Sequence, residues 1–167
     1  MKALYLLLGS NLGDRSQNIA KAVELISSEI GPVMSASSCY ETEPWGNNNQ
    51  GLFLNMALHL SSNEDPFHLL GKLLSIEQRL GRTRNGEQNS ARIIDIDILF
   101  YGDHIISSEK LIIPHPRLQF RRFVLVPMNE IAPDLLHPVS GFSIGELLGT
   151  CPDMLNVSLF DTVVNFS

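Results

Sequence analysis

Apolar positions along the chain switch between two spacings, and the switches mark the elements. Residues 3–8 are a continuous apolar run that ends at Gly9-Ser10-Asn11-Leu12-Gly13-Asp14, the signature of a buried strand stopped by a turn. Ile19, Val23, Ile26 and Ile30 then recur at helical spacing, with Asp14 placed to cap the helix and Gly31-Pro32 placed to stop it. Residues 33–43, rich in Ser, Val and Tyr, read as a second strand, and residues 52–60 as a third. Between them residues 44–51 form an exposed loop with Trp45 and three asparagines. Asp65-Pro66 opens a second helix, whose pattern turns Phe67, Leu70, Leu73 or Leu74, and Ile76 or Leu80 inward before Gly81 closes it. A further strand spans residues 92–100.

The order β-α-β-β-α-β predicts an α+β fold with a ferredoxin-like βαββαβ core, in which two helices cover one face of an antiparallel sheet. The other face then needs a cover or a ligand. Residues after Gly102-Asp103 supply C-terminal additions. These are a hairpin return, a bend at Pro114-His115-Pro116, an apolar segment over 123–126 and a short helix capped by Ser143 and Glu146. Residues 156–167 carry no pattern that assigns them. No internal repeat or interdomain linker interrupts the chain, so residues 1–167 are expected to form one domain.

Arg92-Ile93-Ile94-Asp95-Ile96-Asp97-Ile98-Leu99-Phe100 sets two carboxylates in an otherwise apolar strand. Side chains two apart share a face, so Asp95 and Asp97 point one way and Ile94, Ile96, Ile98 and Phe100 the other. About 7 Å apart, the two charges repel by roughly 2.4 kcal/mol at an effective dielectric near 20, and burial adds desolvation. Oxygen ligands without nearby Cys or His favour a hard divalent ion, Mg²⁺ before Zn²⁺, which commonly arrives carrying phosphate oxygens. The bland alternative is one Asp pairing with an arginine and the other facing water. The neighbourhood favours chemistry, because Arg82, Arg84 and Arg92 precede the pair and Lys110, His115, Arg117, Arg121 and Arg122 follow it.

Charge sharpens this picture. The net charge of −6 is uneven. Residues 79–122 carry eight basic and five acidic side chains, a local +3, against four basic and thirteen acidic elsewhere, −9. That distribution argues against general nucleic-acid binding and for a confined site that takes a small phosphorylated ligand. The glycine turn at residues 9–13 lacks the Lys-Ser/Thr ending and the G-x-G-x-x-G spacing of a phosphate loop, so arginines and magnesium must hold any phosphates. The polar loop 83–91 between Arg82 and Arg92 is either a mobile lid or a solvated turn.

Phe53 and Asn55, two apart on a strand, offer a ring and an amide to one face, which suits a flat heterocycle. Phe123 either stacks on the other side of such a ligand or begins an ordinary apolar run. His115, held between two prolines beside Arg117 and Arg121, is placed to donate to phosphate. Cys39 and Cys151 have neither metal spacing nor a disulfide framework and read as free thiols. No stretch is long enough to span a membrane, which leads to the expectation of a cytoplasmic protein without membrane contact.

Taken together, Gly9-Ser10-Asn11, Thr42-Glu43-Pro44-Trp45-Gly46, Phe53-Leu54-Asn55, Gly81-Arg82-Thr83-Arg84, Arg92-x-x-Asp95-Ile96-Asp97-Ile98-Leu99, Pro114-His115-Pro116-Arg117 and Arg121-Arg122-Phe123 closely resemble the 6-hydroxymethyl-7,8-dihydropterin pyrophosphokinase family. The resemblance runs in order from Ala3 to about Pro138. It implies pyrophosphoryl transfer from ATP to the pterin hydroxymethyl group, with release of AMP, in folate biosynthesis. By the same resemblance Asp95 and Asp97 bind two magnesium ions that arrive with ATP. Arg82 and Arg92, with Asp97, act in catalysis. Arg84, His115 and Arg121 hold phosphates, and Glu77, Ile98 and Lys110 lie near the nucleotide. Phe53 and Phe123 sandwich the pterin, whose edge is lined by Thr42, Pro44, Trp45, Gly46 and Asn55. Many members carry an aromatic residue and Gly-Pro where this chain has Asn89-Ser90-Ala91, so no aromatic lid contact is implied here. The expected partners are ATP and the pterin alone, with no nucleic acid, and the expected state is a monomer. Three rivals remain from the residues themselves: a single-stranded RNA platform, a two-metal phosphohydrolase and a small-molecule-binding module.

Overall fold

The computed structural model describes residues 1–46, 49–81 and 91–160. Strand β1 (Lys2–Ser10) leads into helix α1 (Arg15–Glu29), whose first turn is fixed by Asp14 accepting the Gln17 N–H at 3.0 Å. The expected strand over 33–43 is two strands, β2 (Val33–Ala36) and β3 (Tyr40–Thr42), both paired with β4 (Phe53–Ser62). The break has a local cause at Ser37. Its side-chain hydroxyl, in place of a backbone carbonyl, accepts the Ala57 N–H at 2.9 Å, and its own N–H donates to the Ala57 carbonyl.

Helix α2 (Pro66–Arg79) starts at Asp65, which accepts from the N–H groups of Phe67 and His68. Its buried stripe is Leu69, Leu73 and Ile76; Phe67, expected inside, is 46% exposed. Several registers of a leucine-rich helix satisfy a 3.6-residue period, and contact with the sheet selects one of them.

Strand β5 (Asp95–Tyr101) completes an antiparallel sheet of order β5-β1-β4-β3, with β2 also on β4. Both long helices lie on one face. There Ile19, Ala22, Val23 and Ile26 of α1 and the α2 stripe pack on Leu4, Leu6, Leu8, Leu54, Leu58, Ile96 and Ile98. Burying a leucine of this kind stabilises by roughly 1.5–3 kcal/mol. One expectation fails on β5. Phe100 does not share the face of Ile96 and Ile98 but lies with Tyr5 on the other. The register steps from Leu6↔Ile98 to Tyr5↔Phe100, leaving Leu99 as an extra residue, and such a bulge inverts the alternation beyond it.

The remaining elements cover part of that second face. A short hairpin, β6 (Ile106–Ser107) and β7 (Ile112–Ile113), is followed by a 3₁₀ turn at Leu118–Phe120 and helix α3 (Arg122–Ile131). The apolar segment over 123–126 is therefore the start of a helix, hidden in sequence by Pro127 inside it. Helix α4 (Ile144–Gly149) begins at the expected capping box of Ser143 and Glu146. Val124, Leu125 and Met128 of α3 and Ile144 and Leu147 of α4 pack over Tyr5, Leu7, Ala57, Leu99 and Phe100. Strand β8 (Val157–Leu159), unforeseen in the sequence, adds to the outer edge of β3. Cys39 and Cys151 are free. Among the described residues no helix is long and apolar enough to cross a membrane.

Candidate active site

Helices α3 and α4 leave one end of the second face open, and the polar strand residues converge there. Gly9 on β1 stands opposite Asn55 on β4 and Asp95 on β5, and Leu7 stands opposite Asp97. Together with Thr42, Glu43, Trp45, Gln50, Phe53, Arg92, Arg121 and Phe123 they line one open cleft that mixes rings, an amide and charged groups, the composition of a small-molecule site.

One half of the cleft is aromatic and amide-bearing. Asn55 is 3% exposed, and its Nδ2 donates to Thr42 Oγ1 at 2.7 Å, which fixes the amide's orientation. Phe53 lies under the Arg92 guanidinium at 5.8 Å, while the Arg121 guanidinium sits 4.8 Å from the Trp45 ring and 5.5 Å from the Phe123 ring. Gly9 is required here because a Cβ would stand 2.8 Å from Asn55 Oδ1.

The other half is charged. Arg92 Nη1 donates to Asp95 Oδ2 at 2.9 Å. The Arg92 backbone is clamped by Asn11, whose Oδ1 accepts the Arg92 N–H at 2.7 Å and whose N–H donates to the Arg92 carbonyl at 3.1 Å. Burial above all, then the charges of Asp95 and Glu77, push the Asp97 carboxyl above the usual carboxylate range, against the pull of Arg121 and Arg92. Burial also works against the Arg121 charge, which Asp97 and Asp95 support. Arg121 lines the cleft, and its Nε is buried without a hydrogen-bond partner among the described residues, a donor suited to an anionic acceptor.

Among the described residues, the others singled out from the sequence do not line this cleft. Pro44 and Gly46 flank Trp45, Pro44 buried and Gly46 at φ 82°. Glu77 is buried on the helical side of β5, where its Oε1 accepts the Ile96 N–H at 2.8 Å. The Ile98 side chain is in the core on the face opposite Asp97. Lys110 is exposed, in the turn that joins β6 to β7. Arg82 and Arg84 lie outside the described residues, as does most of the loop that follows them. Leu7, Gln50 and Glu43 line the cleft without having been singled out by their chemistry. Gly9 carried a usable signal, a glycine ending an apolar strand, which marks close backbone approach.

His115 lies in the field of the charged half. Burial, then Arg121, lower its pKa from 6.5 to about 4, with Arg117 adding to this and Asp95 opposing it. Its Nδ1 accepts the Arg117 N–H at 3.3 Å, so the neutral ring carries its proton on Nε2 and can donate from there. The unfolded chain binds this proton between pH 6.5 and 4 and the folded chain does not. Stability is therefore fully present above pH 6.5 and drains as pH falls toward 4, by up to roughly 3 kcal/mol. Urea midpoints at pH 7 and pH 4.5 are expected to differ less in His115→Asn, which keeps an acceptor for Arg117, than in the wild type. Equal differences would remove His115 from the balance.

Comparison with known proteins joins the two halves of the cleft. Residues 5–133 match the family model for 7,8-dihydro-6-hydroxymethylpterin-pyrophosphokinase. The chain belongs to this family. A 2-amino-4-hydroxy-6-hydroxymethyldihydropteridine pyrophosphokinase of Methylorubrum extorquens is 43% identical over 89% of this chain and 92% of its own length. One from Bacillus subtilis is 44% identical over 76% of both chains. The Pneumocystis carinii folic acid synthesis protein fol1 is 44% identical over 86% of this chain, which spans only 19% of that longer protein. Among solved structures, the wild-type HPPK-DHPS of Plasmodium falciparum crystallised with pteroate matches with a TM-score of 0.74 at 18% identity. The match covers 89% of this chain and 42% of that one, so the pyrophosphokinase fold is shared with a larger protein.

Proposed function

We propose that this chain transfers the β,γ-pyrophosphoryl group of ATP to the hydroxymethyl oxygen of 6-hydroxymethyl-7,8-dihydropterin in the cytoplasm, acting as a single pyrophosphokinase domain and a monomer. The observation that carries this reading is the junction of unlike surfaces in one cleft. Rings and a fixed amide stand beside two carboxylates and two guanidinium groups. The pterin hydroxyl oxygen attacks the β-phosphorus and gives up its proton to solvent, the bond from that phosphorus to the α-phosphate oxygen breaks, and AMP leaves with the electron pair.

The chain's own groups divide this work. Phe53 and Phe123 take the faces of the pterin, and Asn55, with Thr42 behind it, reads its edge alongside Pro44, Trp45 and Gly46. Arg92 and Arg82 meet the charge that develops on the transferring group. Arg84, Arg121 and the Nε2–H of neutral His115 bind phosphate oxygens, with Glu77, Ile98 and Lys110 bordering the nucleotide. Asp95 and Asp97 are suited to magnesium, since they are neighbouring oxygen donors on one strand face and the Asp97 charge is disfavoured by burial and by Asp95. Asp95 and Asp97 would hold the two ions expected to arrive with ATP, with phosphate oxygens and water as the further ligands. Magnesium supplies charge neutralisation and alignment of the phosphates.

Incubation with MgATP and the pterin, followed by separation of the nucleotides, tests the reading. AMP is expected, and only when the pterin is present. ADP, or phosphate released without the pterin, would identify a different phosphoryl chemistry, and salt-dependent binding of RNA without turnover would identify the RNA platform.

Gly9→Ala provides a steric check. Its Cβ would collide with Asn55 Oδ1, and the bond to Thr42 resists the amide's escape. Pterin affinity is expected to fall by about tenfold or more, with ATP affinity unchanged, in paired titrations. A parallel loss for both ligands would place the damage elsewhere.

A further inference from the structure

We infer that the C-terminal segment from Cys151 to Phe160 is a strap that sets the spacing between the two walls of the ring-binding cleft, with Asp153 as its positioning residue. The inference rests on the pterin reading above. It concerns a part of the chain beyond residues 5–133, the stretch that matches the family model.

The first wall is the start of α3, where Arg121 and Phe123 enter the cleft. Arg121 occupies the N-cap position without a side-chain capping bond. The cap comes instead from the strap, as Asp153 Oδ2 accepts the Arg122 N–H at 3.0 Å, a charged acceptor on the peptide between the two wall residues. The other oxygen, Oδ1, accepts the Leu155 N–H at 3.0 Å and turns the chain toward the sheet.

The second wall is the end of β3, where Thr42 and Glu43 line the cleft. The Asn156 carbonyl accepts the Glu43 N–H at 3.4 Å, and β8 then pairs along β3 as Thr42↔Val157, Glu41↔Ser158 and Tyr40↔Leu159. Phe160 anchors the far end. Its N–H donates to the Cys39 carbonyl at 2.9 Å, and its ring lies 5.5 Å from the guanidinium of Arg15, which also pairs with Glu41. The strap thus bonds to one wall at Asp153 and to the other from Asn156 onward, and the short stretch between fixes their separation.

Away from the cleft, α3 has an independent tie to the same edge. Glu130 accepts from the Ser38 N–H and, at 2.6 Å, from the Tyr40 hydroxyl. Loss of Asp153 therefore frees the first turn of α3 without releasing the helix. The consequence falls on the grip around the ring and leaves the acid pair on β5 in place.

The test compares wild type, Asp153→Ala and Asp153→Asn for pterin KM, ATP KM, kcat and Tm. The alanine variant is expected to raise pterin KM about tenfold through Phe123 and ATP KM by a smaller factor through Arg121, with kcat within about twofold. The asparagine variant, whose amide oxygen still accepts from Arg122, is expected to stay within about threefold of wild type. An unchanged pterin KM in Asp153→Ala, or an ATP KM that rises more than the pterin KM, overturns the strap. Should Asp153→Ala lack a cooperative melt, Phe160→Ala in the full chain, which releases the strap's far anchor, decides by pterin titration of the fluorescence of Trp45, the only tryptophan. Weaker pterin binding then supports the strap, and wild-type affinity overturns it. A wild-type protein that makes no AMP from ATP and the pterin overturns the functional reading instead, and the strap's role with it.

Discussion

Replacing Asp97 by alanine is expected to lower kcat by at least about 10³-fold while leaving Tm at or above the wild-type value. The two effects have opposite signs because Asp97 serves the reaction at the expense of the fold. In the free protein its carboxylate is desolvated and lies in the field of Asp95 and Glu77, with Arg121 and Arg92 giving only partial relief. Deleting it removes this repulsion. The strand itself has little to lose, since Ile96 and Ile98 on the other face hold it to the helices. Asp97→Asn separates charge from shape, and the same loss of turnover is expected there. Near-normal kcat in either variant would reject the assignment, and a large drop in Tm would make Asp97 a structural residue.

Arg92→Ala is expected to reduce kcat by about 10²-fold and to weaken ATP binding by less than about fivefold. Its guanidinium is already oriented, bonded to Asp95 at 2.9 Å and lying over the Phe53 ring, so it can meet transition-state charge with little reorganisation. Its backbone is held independently by Asn11, and truncating the side chain leaves that clamp intact. Arg92→Lys keeps the charge but loses the planar fork, and is expected to recover only part of the rate. An effect confined to the KM for ATP would show that Arg92 acts in ground-state binding. Rapid-quench measurement of a single turnover separates the two.

What could be read directly from the chain follows one physical rule. Where function sits on a strand, the two-residue period exposes it, and the pairs Asp95 with Asp97 and Phe53 with Asn55 stand out because both members of the first and Asn55 of the second are polar in an apolar run. The rule fails where the period breaks. The Leu99 bulge turned Phe100 to the second face, and the Ser37 hydroxyl split one expected strand into two. Helix α2 left several leucine registers open, and its choice depends on the sheet, a tertiary fact. Gln50 and Glu43 reach the cleft from loop positions that have no periodicity. Strand β8 was illegible for a related reason: three residues added to an edge have meaning only once that edge exists. Its likeness to known pyrophosphokinases names the pterin, which rings and an amide alone do not.

The account stands on the acid pair of β5 holding divalent cations that come with the triphosphate. Electron paramagnetic resonance titration of Mn²⁺, with a non-hydrolysable ATP analogue present, tests this directly in wild type and in Asp97→Ala. Two ions per chain are expected to bind in the wild type with the analogue and far weaker binding without it, and occupancy is expected to be lost in the variant. Equal Mn²⁺ binding by the two proteins would contradict the account.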